Sequence, residues 1–146
     1  MFVFISFVLF VYTTIRNYFE AREYNGGCLC GSIRFVASEE ARNPHICSCK
    51  MCQRHSGSLT QVWVEFDKQD VNWFGPGGMP KTWRSFDYLS RNFCDVCGRT
   101  LGAIDDDSVV ALVLGTFDSP NRVTLRVTSH SYISKKPKWW HVNAEV

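Results

Sequence analysis

Residues 44–57 read PHICSCKMCQRHSG and place Cys47, Cys49 and Cys52 at the spacing C-x-C-x-x-C. The chain holds four further cysteines, Cys28 and Cys30 in CLC and Cys94 and Cys97 in CDVC. Thiolates gathered in short turns are a ligand set for zinc, which takes four in a structural site and keeps one position open in a catalytic one. Such turns also present backbone N–H groups that hydrogen-bond sulfur and favour the thiolate. Seven sulfurs divide most readily as four plus three, giving one closed tetrahedron and one with an open position. Spacing does not say which pairs join. Cys49 and Cys52 with Cys94 and Cys97 would also form two C-x-x-C pairs, although the stretch between them far exceeds the ~15–20 residues common in zinc ribbons.

Clustered cysteines, seven in number, in a chain whose start does not read as a cleavable signal point to metal binding in a reducing compartment rather than to disulfides. The expected location is cytoplasmic. A length of 146 residues fits one ordinary domain, and 45% hydrophobic with 14% aromatic residues argues for a packed core and against disorder. A net charge of +2 lacks the cationic field that phosphate neutralisation requires, so nucleic acid is not the leading partner. The most basic stretch, KKPKWWH at 135–141, has lysines and tryptophans suited to backbone contact and base stacking. It reads more simply as a solvated strand end with one tryptophan buried.

The first residues, MFVFISFVLFVYTTI, are almost wholly apolar, yet as a helix they would span about 23 Å against a bilayer core of ~30 Å. No positive region precedes them and no A-x-A-like site follows, which disfavours a secretory signal. Residues 1–23 therefore read as an apolar N-terminal extension, either a membrane anchor or a start assigned too early. Were it an anchor, Arg16 and Arg22 would hold the domain on the cytosolic side. Residues 24–146 form the expected domain.

The elements that must position the cysteines are short and mostly extended. SIRFVAS alternates Ile33 and Phe35 against Arg34. LTQVWVEFD sets Val62, Val64 and Phe66 on one face and Gln61 and Glu65 on the other. VNWF is stopped by GPGGMP, an exposed loop, and TWRSF and LSRNF resemble hairpin arms about Asp87 that lead into CDVCG. SVVALVLGTF is a buried run closed by the turn DSPN, and RVTLRVTSHSYI reads as a strand with Val123, Leu125 and Val127 facing inward. No segment after residue 24 keeps helical periodicity over three turns. The fold class is mainly β, with few short helices.

Four segments, GGCLCGSIRF, CSCKMCQRHSGS, FCDVCGRTLG and LVLGTFDSP, occur in the order and form of the glutathione-dependent formaldehyde-activating enzyme family, which includes the centromere protein V group. The chain resembles that family from about Asn25 to His141. The resemblance implies a β-tent fold of small antiparallel sheets around two zinc ions. Cys28, Cys30, Cys94 and Cys97 match the structural ligands, and Cys47, Cys49 and Cys52 match a three-cysteine site with an open position. The implied activity is carbon–sulfur chemistry, the attachment of formaldehyde to the cosubstrate glutathione to give S-hydroxymethylglutathione. A noncatalytic zinc module that binds a thiol ligand or a protein partner is the alternative.

A closed site joining an early turn to a late one ties the domain's ends together, and such zinc contributes on the order of 10 kcal/mol to folding. Three thiolates around a dication carry one net negative charge, which suits sulfur chemistry better than water activation. A thiol entering there loses its proton, and its sulfur can add to a carbonyl carbon. The rising negative charge needs cations nearby; Lys50 and Arg54 are the candidates, for that or for glutathione's carboxylates, unless they are simply solvated surface residues. His55, three residues after Cys52, or His45, two before Cys47, could instead close the site as a fourth ligand. Ser56 and Ser58 could donate to an oxyanion or simply form a turn. Asp105, Asp106 and Asp107 lack the alternating ligands of a calcium loop, and His130 belongs to a strand.

Overall fold

The computed structural model of the protein describes residues 22–142, so the apolar segment at 1–15 lies outside the described residues. Among the described residues ten strands form two sheets. The smaller has the order β1 (Tyr24–Gly27), β2 (Arg34–Ala37), β5 (Val71–Phe74), both pairs antiparallel. The larger comprises β3 (Arg42–Cys47), β4 (Gln61–Asp67), β6 (Lys81–Phe86), β7 (Leu89–Phe93), β8 (Thr100–Asp105), β9 (Val109–Val113) and β10 (Ser129–Ser131). Its order is β10-β3-β4-β9-β8-β7-β6, antiparallel throughout except for β10 beside β3. The one α-helix among the described residues is α1 (Lys50–Ser56).

The alternation in β2 and β4 faces its apolar side to the space between the sheets. Phe35 of β2 and Val64 and Phe66 of β4 meet Tyr24, Val110, Leu112 and Phe117 there. Phe117 is the hub, its ring centroid 5.2 Å from Phe35 and 6.2 Å from Phe66. Burying each such ring contributes roughly 1.5–3 kcal/mol. Gly26 lies where β1 crosses the chain before Phe117: a Cβ there would stand 2.3 Å from the Phe35 ring and 2.5 Å from the Thr116 carbonyl oxygen. Only glycine lets these backbones approach.

Trp63 departs from the two-faced pattern expected of β4. It lies on the side of Gln61 and Glu65, yet it is buried, because α1 and the loop before it cover that side. The expected hairpin of β6 and β7 is present, with Trp83 opposite Arg91. The strand expected over 122–133 is not. Val123 is 90% exposed, and only Leu125 is buried, at the end of a 3-10 turn over Val123–Leu125 closed by the Leu125 N–H on the Arg122 carbonyl at 3.0 Å. The segment plugs the core with one side chain and becomes extended only at Ser129–Ser131, where the free edge of β3 offers a partner. Among the described residues no helix is long and apolar enough to cross a membrane.

Candidate metal centres

Two turns of like construction bring four sulfurs together. After β1, the Cys28 N–H bonds the Ile33 carbonyl at 2.9 Å and the Gly31 N–H bonds the Cys28 carbonyl at 3.2 Å. After β7, the Cys94 N–H bonds the Arg99 carbonyl at 2.9 Å and the Gly98 N–H bonds the Cys94 carbonyl at 2.8 Å. Gly31 and Gly98 take the same left-handed conformation, at φ 76° and 71°. The sulfurs of Cys28, Cys30, Cys94 and Cys97 all lie within 4.8 Å of one another. Cys28 and Cys30 are 3.5 Å apart and Cys30 and Cys94 3.8 Å. A zinc–sulfur bond of ~2.3 Å gives a tetrahedron whose edge is about 3.8 Å, so the set fits a tetrahedral ion. Backbone N–H groups of Arg99 and Cys30 draw the Cys97 thiol down to about 6. At Cys30 a backbone bond from Ser32 acts the same way, but desolvation and the crowding sulfurs prevail and push it up to about 12. Four such thiols cannot all ionise unless a cation shares their charge.

Cys47 ends β3, Cys49 caps α1 and Cys52 lies in its first turn. Cys49 has the extended backbone of a cap, and its sulfur accepts the Cys52 N–H at 3.3 Å. At the other end Gly57, at φ 71°, returns its N–H to the Gln53 carbonyl at 2.9 Å. The three sulfurs lie within 4.8 Å of one another. The Cys52 thiol donates to Cys47 at 3.6 Å, which pulls Cys47 down to about 5 despite burial and pushes Cys52 up. The two sulfurs cannot both ionise freely so close together, a conflict that a metal cation would remove. Cys47 and Cys52 are buried against Trp63, Ala103 and Val113, and Cys49 is the partly exposed member. Ser48, between them, is wholly buried, its Oγ 2.8 Å from His130 Nε2.

No histidine joins the three sulfurs. His45 Nδ1 stands 2.8 Å from the Asn43 carbonyl oxygen, and neither it nor His55 belongs to the group of mutually close donors. The buried His55 Nε2 has no hydrogen-bond partner, and burial, with the charge of Arg91, lowers its affinity for a proton.

Lys50 and Arg54 are exposed on α1 and share a cleft of about 510 Å³ with Met51, His55, Trp83, Ser85 and Arg91. Lys50 Nζ donates to Gln53 Oε1 at 3.1 Å. The site residue missing from the sequence reading is Arg91. It is 4% exposed, with Nη2 3.1 Å from Met51 Sδ and 4.0 Å from Cys52 Sγ and its guanidinium 5.3 Å from the centre of the Trp63 ring. A cation in the middle of a hairpin arm, three residues before a cysteine pair, was the available signal.

Other candidates resolve as structural. The Ser56 hydroxyl donates to the Cys52 carbonyl and that of Ser58 to the Thr60 carbonyl, both at 2.7 Å, which favours the turn reading. Asp105 pairs with Lys68 at 3.5 Å, and Asp106 forms a two-point pair with Arg84 that holds its carboxyl below the usual range. His130 lies on β10, as expected. The KKPKWWH segment follows β10 and buries neither tryptophan: Trp139 is 70% and Trp140 36% exposed, a correction to the expected buried ring.

Residues 23–135 match the family described as glutathione-dependent formaldehyde-activating enzyme. No curated protein matches the chain. Among solved structures it is similar to a protein of Rhodobacter sphaeroides, with a TM-score of 0.56 and 14% identity over 73% of this chain and 99% of that one. That likeness is one of fold.

Proposed function

Since the chain belongs to the glutathione-dependent formaldehyde-activating enzyme family, we propose that it is a zinc-dependent carbon–sulfur lyase that joins formaldehyde to glutathione, giving S-hydroxymethylglutathione. Cys28, Cys30, Cys94 and Cys97 hold the structural ion in this reading, and Cys47, Cys49 and Cys52 the functional one. The observation that carries it is a cluster of three sulfurs within 4.8 Å, without a fourth histidine, cysteine or carboxylate donor among the described residues. A bound zinc ion supplies a position at which a thiol is acidified.

The chain's own residues supply the rest. Cys49 is the partly exposed ligand, while Cys47 and Cys52 are buried against Trp63, Ala103 and Val113. Lys50 and Arg54, on the cleft that Arg91 connects to the cluster, match glutathione's two carboxylates, and Trp83, 60% exposed, offers an apolar wall. Seven free cysteines suit a reducing compartment, in keeping with a cytoplasmic location.

The test is formaldehyde loss in glutathione with zinc-loaded protein. The expected result is a rate above the uncatalysed addition that Cys49→Ser abolishes while leaving the structural ion bound. A rate equal to the uncatalysed one, with both ions present, would replace the enzyme by a module that binds a thiol ligand or protein partner.

A further inference from the structure

We infer that Arg91 is the built-in counter-ion of the three-cysteine cluster, a positioning residue whose buried charge helps the cluster retain its metal. The inference rests on the reading that a metal ion sits among Cys47, Cys49 and Cys52. A guanidinium keeps its charge in any protein environment, and burying it without an anion is strongly unfavourable. Arg91 is 4% exposed, and among the described residues no carboxylate forms an ion pair with it. Its Nε has no hydrogen-bond partner.

What surrounds the guanidinium is sulfur and an aromatic face: Met51 Sδ at 3.1 Å, Cys52 Sγ at 4.0 Å and the Trp63 ring at 5.3 Å. The thioether and the ring are neutral and hold the group in place. Among the described residues the cluster's sulfurs, thiolates once a metal is bound, are the anionic groups placed beside it. Trp63 also packs on Cys47 and Cys52, so one side chain orients both cation and cluster.

Charge balance agrees. Three thiolates and a dication sum to minus one, and Arg91 brings the site to neutral. An entering thiolate makes the total minus one rather than minus two. Lys50 and Arg54 cannot substitute, because both are exposed and screened by salt, whereas a buried pair is not. They serve the cleft; Arg91 serves the sulfurs.

The test compares Arg91→Met, which keeps length and removes charge, with Arg91→Lys, which keeps charge. Zinc content is followed by elemental analysis against rising EDTA, with the four-cysteine ion as internal control. Arg91→Met is expected to release one ion at a chelator concentration about tenfold or more below wild type, Arg91→Lys within about threefold, and the second ion unchanged in both. Release in Arg91→Met at the wild-type chelator concentration would overturn the inference, as would a lysine variant no better than the methionine one. Wild type isolated with a single ion would overturn the proposed function and this inference together, whereas two ions with unchanged release in Arg91→Met would overturn the inference alone.

Discussion

Ser48 is wholly buried between two cysteines of the three-sulfur cluster, and its Oγ stands 2.8 Å from Nε2 of His130, 82 residues further along the chain. Its N–H also bonds the Ser131 carbonyl at 3.0 Å, and its carbonyl accepts the Gln53 side chain at 2.8 Å. The cysteine loop is therefore fixed from β10 as well as from its own helix. His130→Ala leaves a buried hydroxyl unsatisfied and is expected to lower stability by about 1–3 kcal/mol; Ser48→Ala strands a partly exposed imidazole and should cost less. Urea denaturation ranks the two. Both variants should also release the three-cysteine ion sooner than wild type, while keeping the four-cysteine one.

Acid should weaken the same region. Burial, reinforced by Lys136 and partly opposed by Cys47, holds His130 below its ordinary value, and burial with Arg91 does so for His55. A lowered histidine binds its proton more readily unfolded, so stability is complete above ~6.5 and is lost as pH falls through that value and on through the folded ones. Denaturation midpoints taken between neutral pH and pH 5 should decline in wild type and decline less in His55→Gln and His130→Gln. Equal slopes would show that neither imidazole is desolvated in solution.

The two sulfur clusters should fail differently. Cys94 is 0% exposed and its turn meets the Cys28–Cys30 turn, so Cys94→Ser is expected to abolish folding, with a loss approaching the ~10 kcal/mol of a structural zinc site. Cys47→Ser should leave a folded protein with one ion in place of two. Elemental analysis and circular dichroism separate the cases. A single ion in wild type would mean that only one of the two groups is a metal site.

Much of this arrangement was legible in the chain, because cysteine spacing and strand alternation are local. The cysteine turns, the β6–β7 hairpin and the apolar face of β4 each depend on residues a few positions apart. What stayed hidden depends on contacts between distant segments. Arg91 on β7 meets Cys52 on α1 only because sheet order brings the helix over that face. Trp63 reads as part of a solvated face until α1 covers it. The alternation of Val123, Leu125 and Val127 is real, but among the described residues no strand pairs with it, so one side chain anchors the segment and the backbone turns instead.

The crossing at Gly26 gives a sharp packing test. A methyl group there would meet both the Phe35 ring and the Thr116 backbone, and a backbone atom cannot swing aside as a flexible side chain can. Gly26→Ala is expected to destabilise by about 1–3 kcal/mol. Phe117→Ala, which removes the ring that packs against Tyr24, Phe35 and Phe66, should cost about 3–5 kcal/mol. Thermal unfolding of the zinc-loaded proteins measures both.

The cleft cations offer a last separation, between holding a substrate and acting on it. Lys50 and Arg54 are exposed, so each interacts with a carboxylate through water and mobile ions, and such pairs contribute ~0.2–1 kcal/mol apiece. Removing both, as Lys50→Met with Arg54→Met, should raise KM for glutathione by about two- to thirtyfold at low salt and leave kcat near wild type, since uniform binding is lost and the sulfurs are untouched. The difference should shrink toward 1 M salt, where screening acts over ~3 Å. A change confined to kcat would place these residues at the reacting atoms, and an unchanged KM would remove the cleft from the glutathione path.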